Sequence, residues 1–333
     1  MSRLRSLVFA LGLGLTWVSA HAATFTVTNT NDSGVGSLRD AVAQASASPA
    51  PNTVNFSPEL SGTIVLTNQI FINGPMSIQG PGASTLTIDA NFSNRIFAIG
   101  KTFPACPTLD NGGVDYLVSI SGLRLINGGN PTGYMGGAIY SEHSLTLDSV
   151  VIDNSFAVWG GGLGVNVQYT NQALTINNTV FSNNLAKPFG TPAGGGNHGG
   201  AIWVNEKCGS TPITAATVNI DASNFSNNRV QPGSWNGRGG AISVTSRADV
   251  SISNTRIVGN GVDAPNPLVA DKTYRAGALY GYGSKSITIQ NSEISDNTAT
   301  SAVVNGQTRI GAMDLVSDHP DWQTPDLVFN CVS

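Results

Sequence analysis

Residues 136–165 read GGAIYSEHSLTLDSVVIDNSFAVWGGGLGV, and the cycle inside them decides the fold. A glycine pair opens a short apolar step, the alternating run Leu145-Thr-Leu147 follows, and Ile152 sits seven positions after Leu145. Another glycine run then begins at Gly160. The same core recurs along the chain. Val118-Ser-Ile120 leads to Leu125, Leu174-Thr-Ile176 to Phe181, Val218-Asn-Ile220 to Phe225, Val250-Ser-Ile252 to Ile257, and Ile287-Thr-Ile289 to Ile294. All six copies keep the seven-residue step, although their starts lie 27, 29, 44, 32 and 37 residues apart.

Alternation of period two marks strands with one buried face. So short a unit cannot bury that face alone, whereas stacked copies can. Three residues after the last apolar position stand Asn184, Asn228, Asn260 and Asn297, with Gly128 and Ser155 in the other two copies. An amide carries both donors and an acceptor, so stacked asparagines can bond to one another and to turn backbone, forming a structural ladder. Glycine pairs at Gly136, Gly160, Gly199 and Gly239, with Ala276-Gly277 as a weaker copy, suit a sharp corner. The variable lengths become corner insertions such as Lys187–His198 and Gly261–Arg275. A leucine-rich repeat would want a longer, leucine-dominated unit, and a sandwich would not hold Asn and Gly in register. The expectation is an all-β, right-handed parallel β-helix.

The ends differ from the middle. Arg3 and Arg5 precede an apolar run from Leu7 to Val18, and Ala20-His-Ala22 offers small residues to a signal peptidase. Residues 1–22 therefore read as a secretory leader cleaved before Ala23. A membrane anchor is the competing reading, but the run is short for a span, and no later stretch approaches one. Losing the leader removes two arginines and no acid, which makes the formal net charge of -4 more negative. Basic residues are scattered, so nucleic acid is not an expected partner. Only 11% of residues are charged and glycine is abundant, a composition for turns and strands. Export permits one disulfide among Cys106, Cys208 and Cys331, whose spacing resembles no metal site.

Residues 23–105 read as a cap and first coils. Ser37-Leu-Arg-Asp40 is a capping box, and Leu38, Ala41 and Val42 give a short capping helix an apolar face through about Ala45. Irregular strands follow at Thr53–Phe56, Gly62–Leu66, Ile70–Ile72, Met76–Gln79 and Leu86–Ile88. Regular repeats then occupy 106–307, opening with a polar insertion at Pro107–Asp115, and residues 308–333 lose the pattern as a C-terminal cap or tail.

Gly36-Ser-Leu-Arg-Asp-Ala-Val42 resembles the CSLREAI-type segment that opens a group of bacterial exported parallel β-helix proteins, with Gly36, Asp40 and Val42 in place of Cys, Glu and Ile. The GGAI stretches at Gly136–Ile139, Gly199–Ile202 and Gly239–Ile242 resemble the passenger repeats of chlamydial polymorphic outer membrane proteins, as do Phe181–Asn184 and Phe225–Asn228. Those proteins end in an outer-membrane barrel, for which nothing after Ser301 is long enough. The resemblance implies a β-helix, export, and a place outside the cell or on its surface. It does not select an activity: the wider class holds polysaccharide-active enzymes, adhesins and surface proteins.

Two candidate chemistries follow. After the glycine pairs, Ile139, Ile202, Ile242 and Leu279 should face inward and Tyr140, Trp203, Ser243 and Tyr280 outward, with Gly164 between. Tyr140, Trp203 and Tyr280 would then form an aromatic row able to stack on sugar rings of a polysaccharide or surface glycoconjugate. The competing reading is that loops fold over these rings and make them satellite core. Glu142 and Glu206 near the same strands are the candidate acid pair of a glycosidase, for which two carboxylates should lie ~5–10 Å apart. No metal or cofactor is expected, save calcium if the protein were a lyase. Asp148, Asp153, Asp221, Asp249 and Asp296 read as turn residues, and Arg124, Arg256 and Glu293 as solvated outer-face charges. Function therefore divides between a binding or adhesion scaffold and a polysaccharide lyase or hydrolase, with activity and oligomeric state left open.

Overall fold

The computed structural model describes residues 21–48, 50–100, 114–129, 135–189, 196–206, 216–263, 272–299, 303–304, 307–308, 311–316 and 326–330. The three cysteines, the expected leader through Ala20 and most of the 107–115 insertion lie outside them. The chain forms a right-handed parallel β-helix. Three long parallel sheets, in which strand order follows chain order, make its walls. Sheet I has ten strands, from Thr24–Val27 to Asp326–Asn330. Sheet II has eight, from Gly62–Val65 to Glu293–Ser295, and sheet III has eight, from Ile70–Ile72 to Met313–Val316. One coil runs Ser144–Asp148, Val151–Asp153, Phe156–Ala157, Leu163–Val167, and returns to sheet I at Ala173.

The apolar alternation becomes inward columns. On sheet I, Ile120, Leu147, Ile176, Ile220, Ile252 and Ile289 pair in sequence and are buried. On sheet II the residue five positions on supplies Leu125, Ile152, Phe181, Phe225, Ile257 and Ile294. The Phe181 and Phe225 rings stack at 5.0 Å, as identical side chains one coil apart should.

Two left-handed residues turn each coil at the two ends of sheet II. The first follows sheet I: Gly122, Ser149, Asn178, Ala222, Asn254 and Asn291 all have positive φ. The second precedes each ladder residue: Asn127, Asn154, Asn183, Asn227, Gly259 and Asp296. Asparagine dominates because it tolerates this region better than other non-glycine residues. At the far corner each glycine pair divides its labour. Gly136, Gly160, Gly199 and Gly239 have φ of 63–66°, while a Cβ on the following glycine would strike neighbouring backbone. Ala276 occupies the first position of the weaker copy with φ 58°. Ala276→Gly should therefore stabilise the fold by about 1 kcal/mol, the left-handed penalty removed, read as a higher urea midpoint. An unchanged or lower midpoint would show that Ala276 is not strained.

The capping helix spans Leu38–Ala47, two residues beyond its sequence-based end. The Ser37 side chain accepts from Asp40 N–H at 3.2 Å, and Leu38, Ala41, Val42 and Ala45 bury against the first strands. Beyond Thr308 the sequence pattern fades, yet Met313–Val316 and Asp326–Asn330 still add strands to sheets III and I. Strand pairing uses backbone groups and survives an irregular side-chain pattern. The corner insertions also hold short strands: Asn197–His198, Gly237–Arg238 and Tyr274–Arg275 form a separate ribbon.

Candidate functional site

Lateral pairing on sheet III sets Tyr140 beside Gly164, Gly164 beside Trp203, Trp203 beside Ser243 and Ser243 beside Tyr280. The row exists, but it is not a solvent-facing platform. Tyr140, Trp203 and Tyr280 are only 0, 8 and 2% exposed. The residue before each corner covers them. Met135, Trp159, His198, Arg238 and Arg275 pair with one another in a second parallel row. A left-handed residue at each corner, glycine at four and Ala276 at the last, folds this row back over the strand that follows. Trp159 lies 5.1 Å from Trp203, His198 stacks on Trp203 at 5.7 Å, and Arg238 sits over the Tyr280 ring at 5.2 Å. The sequence carried the signal: a large side chain precedes every glycine pair. Read with the glycines, it would have shown a covered face.

The proposed carboxylates do not converge. Glu142 is 1% exposed and accepts the Tyr140 hydroxyl at 2.7 Å. Glu206 pairs in register with Val167, whereas Glu142 follows Ser141, whose partner is Val165; the two acids thus occupy ranks that face opposite ways. Glu206 accepts the Arg247 backbone N–H at 3.0 Å, with the Arg247 guanidinium 3.7 Å away. Burial, then the Glu142 charge, pushes the Tyr140 phenol up, so it remains a donor. Arg95 donates to the Met135 and Gly136 carbonyls under the same ring, and burial lowers its pKa to about 10. These contacts hold a covered polar core in place.

A second cluster lies near the cap. His143, fully buried, is stacked between Tyr116 at 3.6 Å and Tyr169 at 4.9 Å, and its Nδ1 is 3.2 Å from Asp115. Burial raises the Asp115 pKa, but hydrogen bonds from His143 and Ser144 outweigh it and leave the carboxyl below its usual range. Ser144 Oγ donates to Asp115. In a Ser-His-Asp triad the hydroxyl would donate to the imidazole instead. An open depression of about 520 Å³ adjoins the cluster, lined by Ser46–Ser48, Asn73–Pro75 and Val114–Tyr116. Among the described residues, no three His, Cys, Asp or Glu side chains gather as a metal site requires.

The asparagine ladder is continuous through the regular coils. Asn184 Nδ2 donates to Asn228 Oδ1, Asn228 to Asn260, and Asn260 to Asn297, each at 2.9 Å. Outer-face charges pair on sheet II: Arg256 with Glu293 at 2.7 Å, and Arg124 with Asp153 at 2.6 Å. Phe92, Phe156 and Phe189 pack in a row at the corner after sheet II, with Lys187 over the last two. No pattern in the repeat announced that row, since Phe92 belongs to the irregular first coils.

Sheet I is of another kind. None of its ten strands contains Lys, Arg, His or Glu. Its central outward column runs Ser119, Thr146, Thr175, Asn219, Ser251 and Thr288, each pairing with the next. The flanking column continues with Ser121, Asp148, Asn177, Asp221, Ser253 and Gln290. In the sequence these residues are only the polar half of an alternation; lateral pairing makes them a continuous face. In comparisons with known proteins, the chain matches no family model and no curated protein sequence.

Proposed function

We propose that this is an exported β-helix protein that acts by non-covalent binding, presenting the outer face of sheet I to an extended partner outside the cell or on its surface. One observation carries the proposal: a sheet of ten parallel strands in lateral register whose outward side bears mainly hydroxyls, amides and a few carboxylates, with the apolar Leu117 and Val328 among them and no cation in its strand residues. Exposed strands elsewhere on the rod carry paired charges, as on sheet II. The Arg-initiated apolar leader and the resemblance to exported β-helix proteins support a place outside the cytoplasm. Among the described residues, no helix is long and apolar enough to cross a membrane. Hydrolysis or elimination by Glu142 and Glu206 is the weaker reading, because each acid is already engaged on its own rank.

The test compares two surfaces of one rod. Retention on washed cell envelopes and immobilised polysaccharides should fall at least tenfold in Thr146→Arg/Thr175→Arg and remain unchanged in Asn224→Arg on sheet II. Equal retention by all three proteins would sink the proposal. Release of reducing or unsaturated sugar, lost in Glu142→Gln, would make the protein an enzyme instead.

A further inference from the structure

We propose, resting on the binding role just given, that the occupant of sheet I is an uncharged, straight polysaccharide lying parallel to the rod axis. The first argument is spacing. Hydroxyl and amide groups from Ser119 to Thr288 recur once per strand, about 4.8 Å apart. An extended β-linked glycan advances by a similar length per sugar, so successive sugars meet equivalent groups. The second argument is charge. Asp148, Asp221 and Asp249 stand on these strands without a strand lysine or arginine, and Lys285, at the margin, reaches Asp249 at 3.3 Å. Hydrogen bonds from Ser253 and Asn254 depress the Asp221 pKa, so this group stays ionised at neutral pH. Such a face repels polyanions and offers acceptors to sugar hydroxyls.

Availability is the third argument. Among the described residues, the side chains of Ser119, Thr146, Thr175, Asn219, Ser251 and Thr288 enter no side-chain hydrogen bond. The outward columns hold no aromatic ring, so recognition would come from hydrogen bonds along a flat ribbon rather than from stacking. Each such bond replaces one to water and is worth little alone. Repetition along the sheet supplies affinity, which should therefore rise with glycan length until the ladder is spanned. Ice is the rival lattice-like ligand. A mixed Ser, Thr and Asn column with flanking carboxylates suits varied sugar hydroxyls better than a surface that repeats identically.

The experiment is affinity electrophoresis of the full chain in gels containing soluble glucomannan, hydroxyethylcellulose, polygalacturonate or alginate, with neutral β-1,4-linked oligosaccharides of increasing length as competitors. Thr146→Val/Thr175→Val/Thr288→Val keeps strand propensity and removes three hydroxyls; circular dichroism and urea unfolding confirm its fold. Retardation by the neutral polymers, stronger competition with length, and at least tenfold weakening in the valine variant are expected. Retardation only by a polyanion, or capture of a protein ligand, lost in the same variant, would overturn the neutral glycan while leaving sheet I as a binding face. Ice shaping lost in the valine variant would assign the face to ice and overturn the glycan. Absence of any ligand whose retention depends on these threonines would overturn both proposals.

Discussion

Gly200→Ala should be among the most damaging single substitutions in the chain, costing on the order of 4 kcal/mol or more. A Cβ at Gly200 would collide with the Gly240 carbonyl of the next coil and approach the Arg229 N–H to 2.6 Å. Both obstacles are backbone, so no rotamer change relieves them. The position belongs to a column: Gly137 meets Gly161, Gly161 meets Gly200, Gly200 meets Gly240, and Gly240 meets Gly277. Moving one coil outward would thus break the hydrogen bonds Gly200 N–H to Gly239 O and Ala201 N–H to Ala241 O. Gly74, where a Cβ meets nothing within 4 Å, is the control, and Gly74→Ala should be nearly neutral. Urea unfolding of both variants checks the expectation. A Gly200→Ala midpoint close to that of Gly74→Ala would show that the coils are not held at this spacing.

The same corners explain what the sequence could and could not reveal. Six copies of a seven-residue step were enough to read stacked strands, because each step joins two inward columns across one left-handed turn. The ladder positions Asn184, Asn228, Asn260 and Asn297 were legible for the same reason, a constant offset from a constant step. Exposure was not. Parity correctly assigned Tyr140, Trp203 and Tyr280 to the side of sheet III away from the core, but parity says nothing about a second layer. That layer comes from Trp159, His198 and Arg238, outside the alternating strands, and only the left-handed glycines determine that they fold back. Glu142 and Glu206 failed as a pair for a related reason. Glu142 lies three positions after the inward Ile139 and Glu206 four after the equivalent Ile202, and a shift of one along a strand reverses the face. The polar column of sheet I was equally present in the sequence. It stood out only when lateral pairing placed Thr146, Thr175 and Asn219 side by side.

Asn228→Ala should cost about 4 kcal/mol, since each polar group left buried without a partner costs ~1–3 kcal/mol. Asn228 is wholly buried. Its Oδ1 accepts from the Asn184 backbone N–H at 3.1 Å and from Asn184 Nδ2 at 2.9 Å, and its Nδ2 donates to the Phe181 carbonyl at 2.9 Å. Alanine leaves these three groups, and Asn260 Oδ1 as well, without that partner and opens a void beside them. The coil two before shows a milder alternative. At the equivalent position Ser155 Oγ accepts from Gly128 N–H at 3.0 Å, so a hydroxyl can carry the ladder one step. Asn228→Ser should therefore lose less than Asn228→Ala. Asn228→Asp keeps the acceptor but loses both donated bonds and buries a charge. Its carboxyl should titrate above the unfolded value, so folding takes up a proton. The variant's stability, relative to the parent, is then greatest at low pH and falls as pH rises through the folded pKa. Position matters as well, because coils are coupled only to their neighbours. Asn297, less buried and last among these four, should tolerate alanine with a smaller loss. Urea unfolding followed by circular dichroism and tryptophan fluorescence would separate these cases. Equal midpoints for Asn228→Ala and Asn297→Ala would mean that the ladder does not couple the coils.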